Sequence, residues 1–118
     1  MRAGTLRRRV TFQRRAGAQD TFGQQVTDWI DVLANVPADI QALSGRELLA
    51  AQAINAELTH TIVVRYHSLL ADPVKTASMR AVYVNAGVTR FFNVKSAENV
   101  GEQNVEIDLM VSEGLNQG

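Results

Sequence analysis

Hydrophobic and polar positions alternate with a period of two along most of the chain, the pattern of strands with one buried face. In the stretch LRRRVTFQR, residues 6–14, Val10 and Phe12 fall on one face and Arg7, Arg9, Thr11 and Gln13 on the other. Residues 16–25, AGAQDTFGQQ, read as a turn or loop punctuated by Asp20 and Gly23. A second strand is expected over residues 26–33. Val26, Ile30 and Val32 lie on one side of it, Asp28 marks its exposed start, and Trp29 and Leu33 point the other way. A third strand is expected over residues 36–43, where Pro37 lacks an amide hydrogen and so marks a strand start or edge.

The period then changes. In SGRELLAAQAINAELTH, residues 44–60, Ser44 and Glu47 have the spacing of a capping box, and Leu48, Leu49, Ala50 and Ala51 favour helix. Apolar positions spread almost all round this helix, broken by Gln52 and Asn55, and such a helix is normally covered on several sides. In a chain with one small core, the cover comes either from a neighbouring subunit or from the open end of a barrel that the helix plugs. Both readings are compatible with the pattern.

Alternation resumes over residues 58–66, with Leu58, Ile62, Val64 and Tyr66 on the inward face. Residues 67–78 read as a loop around Asp72-Pro73. Residues 79–84 and 88–95 flank Asn85-Ala86-Gly87 as a hairpin, with Phe92 and Val94 inside and Phe91 on a flank or interface. After a turn at 99–103, Val105, Ile107, Leu109 and Val111 point inward and Glu106, Asp108 and Ser112 outward. About six to seven short strands joined by turns predict an all-β chain, a small antiparallel barrel or a sandwich. A single domain is expected over 1–118, with loose tails at 1–5 and 114–118.

Composition narrows the function classes. With 118 residues and no cysteine, the chain holds one domain and neither a disulfide nor a thiolate metal site. No apolar run approaches the roughly 20 residues of a membrane span, and no apolar segment follows the basic start as a secretory signal would require. Net charge is zero, yet six of the twelve basic residues (Arg2, Arg7, Arg8, Arg9, Arg14 and Arg15) occupy the first fifteen positions without an acid. The rest of the chain carries six bases against twelve acids, a net of −6. The arginines read either as a solvated edge strand that resists edge-to-edge pairing or as a face that meets a partner.

No catalytic constellation is present. His60 and His67 point to opposite faces of one strand and cannot share a metal. Nucleophile, metalloprotease and phosphate-loop motifs are missing, and the pairs Asp28/Asp31 and Glu106/Asp108 read as solvent-facing alternation. The chain is expected not to be an enzyme and to use no cofactor. Nucleic-acid binding by a small barrel is the rival reading, but the pI of about 6.7 and the thin aromatic platform argue against it.

The chain resembles the head–tail joining (head closure, or stopper) proteins of tailed bacteriophages. The resemblance rests on Met1-Arg2-Ala3-Gly4 with the strand that follows, on Asp20-Thr21-Phe22-Gly23 leading to Trp29, and on Ser44-Gly45-Arg46-Glu47 before an alanine-rich segment. Thr59-His60, Arg65-Tyr66, Phe92-Asn93-Val94 and Glu98-Asn99-Val100 with Asn104 continue it over nearly the whole length. Departures fall at Pro37, where many relatives have tryptophan, and near Ser112, where a cysteine is common. The resemblance implies a small antiparallel β-barrel of about six to seven strands with one short helix and long loops, and a virion protein, assembled in the bacterial cytoplasm, that forms a homo-oligomeric ring of six or twelve copies at the head–tail junction. It would close the portal or adaptor channel after packaging, offer a platform to tail-terminator or tail-tube proteins, lie near genomic DNA, and touch no membrane. A tail-terminator or tail-completion ring is the neighbouring alternative. Arg2, Arg7, Arg8 and Arg9 are the candidates for docking on the connector. Arg46, Glu47, Leu48, Leu49, Gln52, Ile54 and Asn55 are the candidates for a subunit interface or channel lining.

Overall fold

The computed structural model describes residues 6–15 and 29–114. Six antiparallel strands, β1 (Arg8–Arg15), β2 (Trp29–Ala42), β3 (His60–Arg65), β4 (Arg80–Asn85), β5 (Val88–Asn99) and β6 (Glu106–Gly114), close into a barrel in the order β1-β2-β3-β6-β5-β4. Helix α1 (Gly45–Ile54) links β2 to β3, and a single helical turn, α2 (Pro73–Thr76), lies in the β3–β4 connection. Of the barrel and the sandwich that the alternation left open, the barrel implied by the resemblance is the observed architecture, with one short helix.

The interior is filled by the inward positions of every strand: Val10 and Phe12, Ala38 and Ile40, Ile62 and Val64, Ala81, Phe92 and Val94, then Ile107, Leu109 and Val111. Size alternates across the seam that closes the barrel. Ala81 is in register with Phe12 on one side and Phe92 on the other, so a methyl group separates two fully buried rings. Leu70 and Met79, from the β3–β4 connection, join the same cluster. That connection is held by local bonds. Asp72 Oδ1 accepts from the amides of Val74 and Lys75 at 3.0 and 3.4 Å, Pro73 opens the helical turn, and the buried Thr76 hydroxyl lies 3.0 Å from the Leu70 carbonyl.

Three details differ from the sequence reading. Among the described residues, 29–33 and 36–42 are not separate strands: β2 runs through both, and its register against β1 shifts on either side of Phe12, with Asn35 at φ 56°. The extra residues bend β2, so its first part pairs with β1 while Ala38–Ala42 pair with β3. Pro37 therefore sits inside a strand, just before the switch of neighbours, and the bend leaves Val32 and Leu33 both half-buried and Ile30 exposed. Residues 67–78 carry a 3-10 turn (Ser68–Leu70) and α2 rather than plain loop. Just before β6, Val105 is exposed, and near the end of the strand Ser112 is buried, both the reverse of the simple alternation. The β4–β5 hairpin has a two-residue turn, Ala86-Gly87, with both φ values positive, as the right-handed twist of paired strands favours. The expected loop at 16–25, the start near Asp28 and the tail beyond residue 114 lie outside the described residues.

Because Phe92 is fully enclosed and touches the closing seam, Phe92→Ala is expected to cost about 3–5 kcal/mol in urea unfolding. Ile54→Ala, on the exposed side of α1, is expected to change stability by less than about 0.5 kcal/mol in the same measurement.

Candidate interaction surfaces

Arg8, Arg9, Arg14 and Arg15 on β1 are exposed, as is Arg7 just before it; Arg2 lies outside the described residues. Since Val10 and Phe12 fill the barrel, Arg9 and Arg15 share the outward side of β1 with Thr11 and Gln13. Beside them runs a stacked ladder that crosses four strands. The Arg80 guanidinium lies 4.2 Å from the Trp29 ring centre and 4.6 Å from that of Phe91, and Arg15 lies 5.0 Å from Trp29. Arg80 Nε donates to Gln13 Oε1 at 2.8 Å, and Gln13 Nε2 donates to Asp31 Oδ1 at 2.8 Å. Burial, and after it the Arg15 charge, lowers the Arg80 pKa from its usual value. The flank position expected for Phe91 is explained by this stack. Both rings that could have received a nucleotide base from this side are occupied by the protein's own arginine.

One end of the barrel is closed by polar groups. Arg90 donates from Nε and Nη2 to the two Glu113 oxygens at 2.7 and 2.9 Å, which holds the Glu113 carboxyl below its usual pKa. His60 stands edge-on to Phe92 with ring centres 5.2 Å apart, and its Nδ1 is 2.8 Å from the Thr59 hydroxyl. Burial lowers the His60 pKa, more than the Glu113 charge at 3.9 Å raises it, which favours the neutral ring. His67 is exposed and accepts from the Leu69 amide through Nδ1. The two histidines serve separate structural ends.

Helix α1 lies against the outside of the barrel. Ser44 occupies the N-cap position, but its side chain makes no capping bond, so the capping box inferred from Ser44 and Glu47 is not formed. Gln52 Nε2 donates to the Leu58 carbonyl at 3.1 Å, and Asn55 Oδ1 accepts from the Glu57 amide at 2.9 Å, which fixes the return into β3. Of the helix residues only Ala51 is buried. Arg46 and Glu47 are exposed and Leu48 is half-buried, whereas Leu49 and Ile54 are 72% and 89% exposed. The expected all-round apolar helix is present, and within one chain most of it is uncovered.

Between α1 and the outer face of β3, β5 and β6 is a cleft of about 490 Å³. Leu43, Ala50, Ile54 and Met110 give it apolar walls, and Glu47, Glu98 and Asp108 add carboxyls. Glu98 is directly opposite Asp108 across the β5–β6 ladder, and Glu106 is two residues along the same face. Asp108 Oδ1 is buried with no hydrogen-bond partner. Burial, then a hydrogen bond and charge from Glu106, then the Glu98 charge, push the Asp108 pKa up to about 7. The sequence reading had Asp108 as an ordinary solvent-facing residue. It missed this site because alternation along β6 reveals neither the helix that crosses the strand nor the carboxylate that faces it from β5. The strand expected over 88–95 in fact runs on to Asn99, and it is this extension that brings Glu98 opposite Asp108.

A family model described as "Phage head completion protein" matches residues 1–114. The chain belongs to the phage head completion protein family. Its fold is similar to the solution structure of protein SF1141 from Shigella flexneri 2a, a structural-genomics target, with a TM-score of 0.72 at 22% identity. That likeness covers 98% of this chain and 99% of the other, and at this identity it speaks for the fold alone. No curated protein matches the chain. Membership makes this head completion protein a structural virion component that works with other phage head or tail proteins. The phage head–tail joining resemblance read from the motifs thus agrees with the family.

Asp108 gives a pH prediction. Its folded pKa, about 7, lies above the ordinary value of 3.8, so the folded state holds a proton that the unfolded chain releases. The resulting penalty is absent below about pH 4, grows as pH rises and is complete above about pH 7. Asp108→Asn is therefore expected to raise the unfolding midpoint at pH 8 and to leave it nearly unchanged at pH 4. Thermal melts across that range would check the slope.

Proposed function

We propose that this head completion protein assembles as a ring at the head–tail junction, closes the portal or adaptor channel after DNA packaging, and presents the surface on which the tail docks. The observation that carries the reading is α1. A helix with Leu49 and Ile54 in open solvent is maintained on a barrel whose own interior is full. Exposed apolar side chains on a short, regular element are suited to contact with another subunit. Heterologous contacts repeated by rotation close into a ring. The candidates Arg46, Glu47, Leu48, Leu49, Gln52, Ile54 and Asn55 belong to this helix or its end. On the same reading the basic group Arg2, Arg7, Arg8 and Arg9 supplies charge for an acidic connector surface. A dedicated nucleic-acid role is not favoured, since Arg80 fills the aromatic stack and the pI is about 6.7.

The test is a phage in which this gene is silenced and then supplied in trans. Particles lacking the protein should package DNA, leak it, and carry no tails. Imaging of complete particles should show an annulus of this polypeptide between capsid and tail. Complementation with Leu49→Asp/Ile54→Asp should fail, while the purified variant keeps the barrel's circular dichroism and melts within a few degrees of the wild type. Complete, infectious particles with that variant, or an annulus found elsewhere in the virion, would overturn the reading.

A further inference from the structure

The order of strands gives the barrel two unlike poles. β1 and β6 are separated by three steps in either direction around the closed sheet, so they lie on opposite sides. One pole carries Arg8, Arg9, Arg14 and Arg15, all exposed. The other carries Glu98, Glu106 and Asp108 beneath α1, with Glu47 on the helix. Arg65 stands opposite Glu106 on β3, Arg46 is exposed at the start of α1, Lys95 is 3.1 Å from Glu57, and Arg90 on β5 is engaged by Glu113. None of these lines the cleft, whose carboxyls include the buried, unpartnered Asp108 Oδ1.

We infer that the cleft between α1 and the β5–β6 outer face receives the basic outer face of β1 from a second copy of this chain. The inference rests on the ring reading above and adds which faces meet. A two-sided molecule whose opposite faces complement each other joins head to tail, the heterologous geometry that a ring requires. The chemistry of the groove fits its occupant. An arginine lays an apolar stem along apolar walls and carries a fork that meets carboxylates in pairs. The cleft offers both, with Leu43, Ala50, Ile54 and Met110 as walls and Glu47, Glu98 and Asp108 as acceptors. A lysine would use the walls and the charge but has no fork to meet paired carboxylates. The exposed Ile54 at the mouth is then covered by the incoming strand.

The experiment is a charge swap on the full-length protein, followed by sedimentation over a concentration series at low and high salt. Wild type should self-associate at low salt and lose this at high salt, where screening acts within a few ångströms. Glu47→Lys/Glu98→Lys puts two cations in the cleft, and Arg7→Glu/Arg9→Glu puts two carboxylates on the outward side of β1. Each should weaken self-association by at least about tenfold, and a mixture of the two should associate to within about threefold of wild type. Glu98→Gln and Arg9→Gln, which remove charge without reversing it, should move the affinity in the same direction by less; they also serve if a reversal variant does not fold. A wild type that stays monomeric at low salt, or variants that associate as wild type does, would overturn the inference. So would a mixture that fails to associate. Association that survives in both reversals means that copies meet through other faces; the ring reading then stands and only this assignment falls. An annulus missing from complete particles removes the ring reading instead.

Discussion

The fold depends on closing a six-stranded sheet around a very small interior. The closing seam is β1 against β4, where Gln13 and Arg80, 67 residues apart, are joined by a hydrogen bond. Inside that seam two phenylalanines must fit, and they do so because the residue between them in register is Ala81. A larger side chain there would force either ring off its rotamer or the strands apart. Outside the same seam the Trp29–Arg80–Phe91 stack ties β2, β4 and β5 across β1. Closure is secured on both faces of the sheet, and every strand then has two neighbours.

That solution leaves α1 without a place. A closed barrel has no free edge and its interior holds Phe12 and Phe92, and the apolar helix between β2 and β3 lies against its outer face rather than plugging an end. Its attachment is slight: Ala51 is buried, Gln52 bonds the Leu58 carbonyl, and a cleft remains below. Low local burial of this kind marks a segment held by few contacts. The uncovered leucine and isoleucine are thus a consequence of closure, and they supply the surface that the proposed assembly uses.

The sequence was most informative where one face of one strand decided the outcome. Ile62 with Val64, Phe92 with Val94, and Ile107 with Leu109 and Val111 were all placed inward from alternation alone, and all are buried. It was least informative where two segments meet. The merging of two expected strands into β2 turns on a bulge at Asn35, whose positive φ no periodicity announces. The capping box failed because Ser44 satisfies the motif in spacing but not in side-chain geometry. The Arg80 stack and the Asp108 cluster each need register between strands distant in sequence, and register is settled by closure rather than by local pattern. Motif order, by contrast, identified the family, since it records many weak signals at fixed spacing.

The magnitudes suit a part that joins a particle late. Covering a fully exposed leucine or isoleucine is worth about 1.5–3 kcal/mol, and each solvent-exposed ion pair about 0–1 kcal/mol. Bringing two free molecules together costs about 4–15 kcal/mol in lost motion. A single contact of the proposed kind between free copies is therefore weak. A pre-formed connector changes the balance without new contacts, because copies already seated beside one another meet at high effective concentration. Zero net charge with separated poles works the same way: it gives no long-range repulsion to overcome and a definite direction once neighbours are close. On the proposed assembly, free copies then associate only at low salt and high concentration, and copies seated on the connector complete the ring.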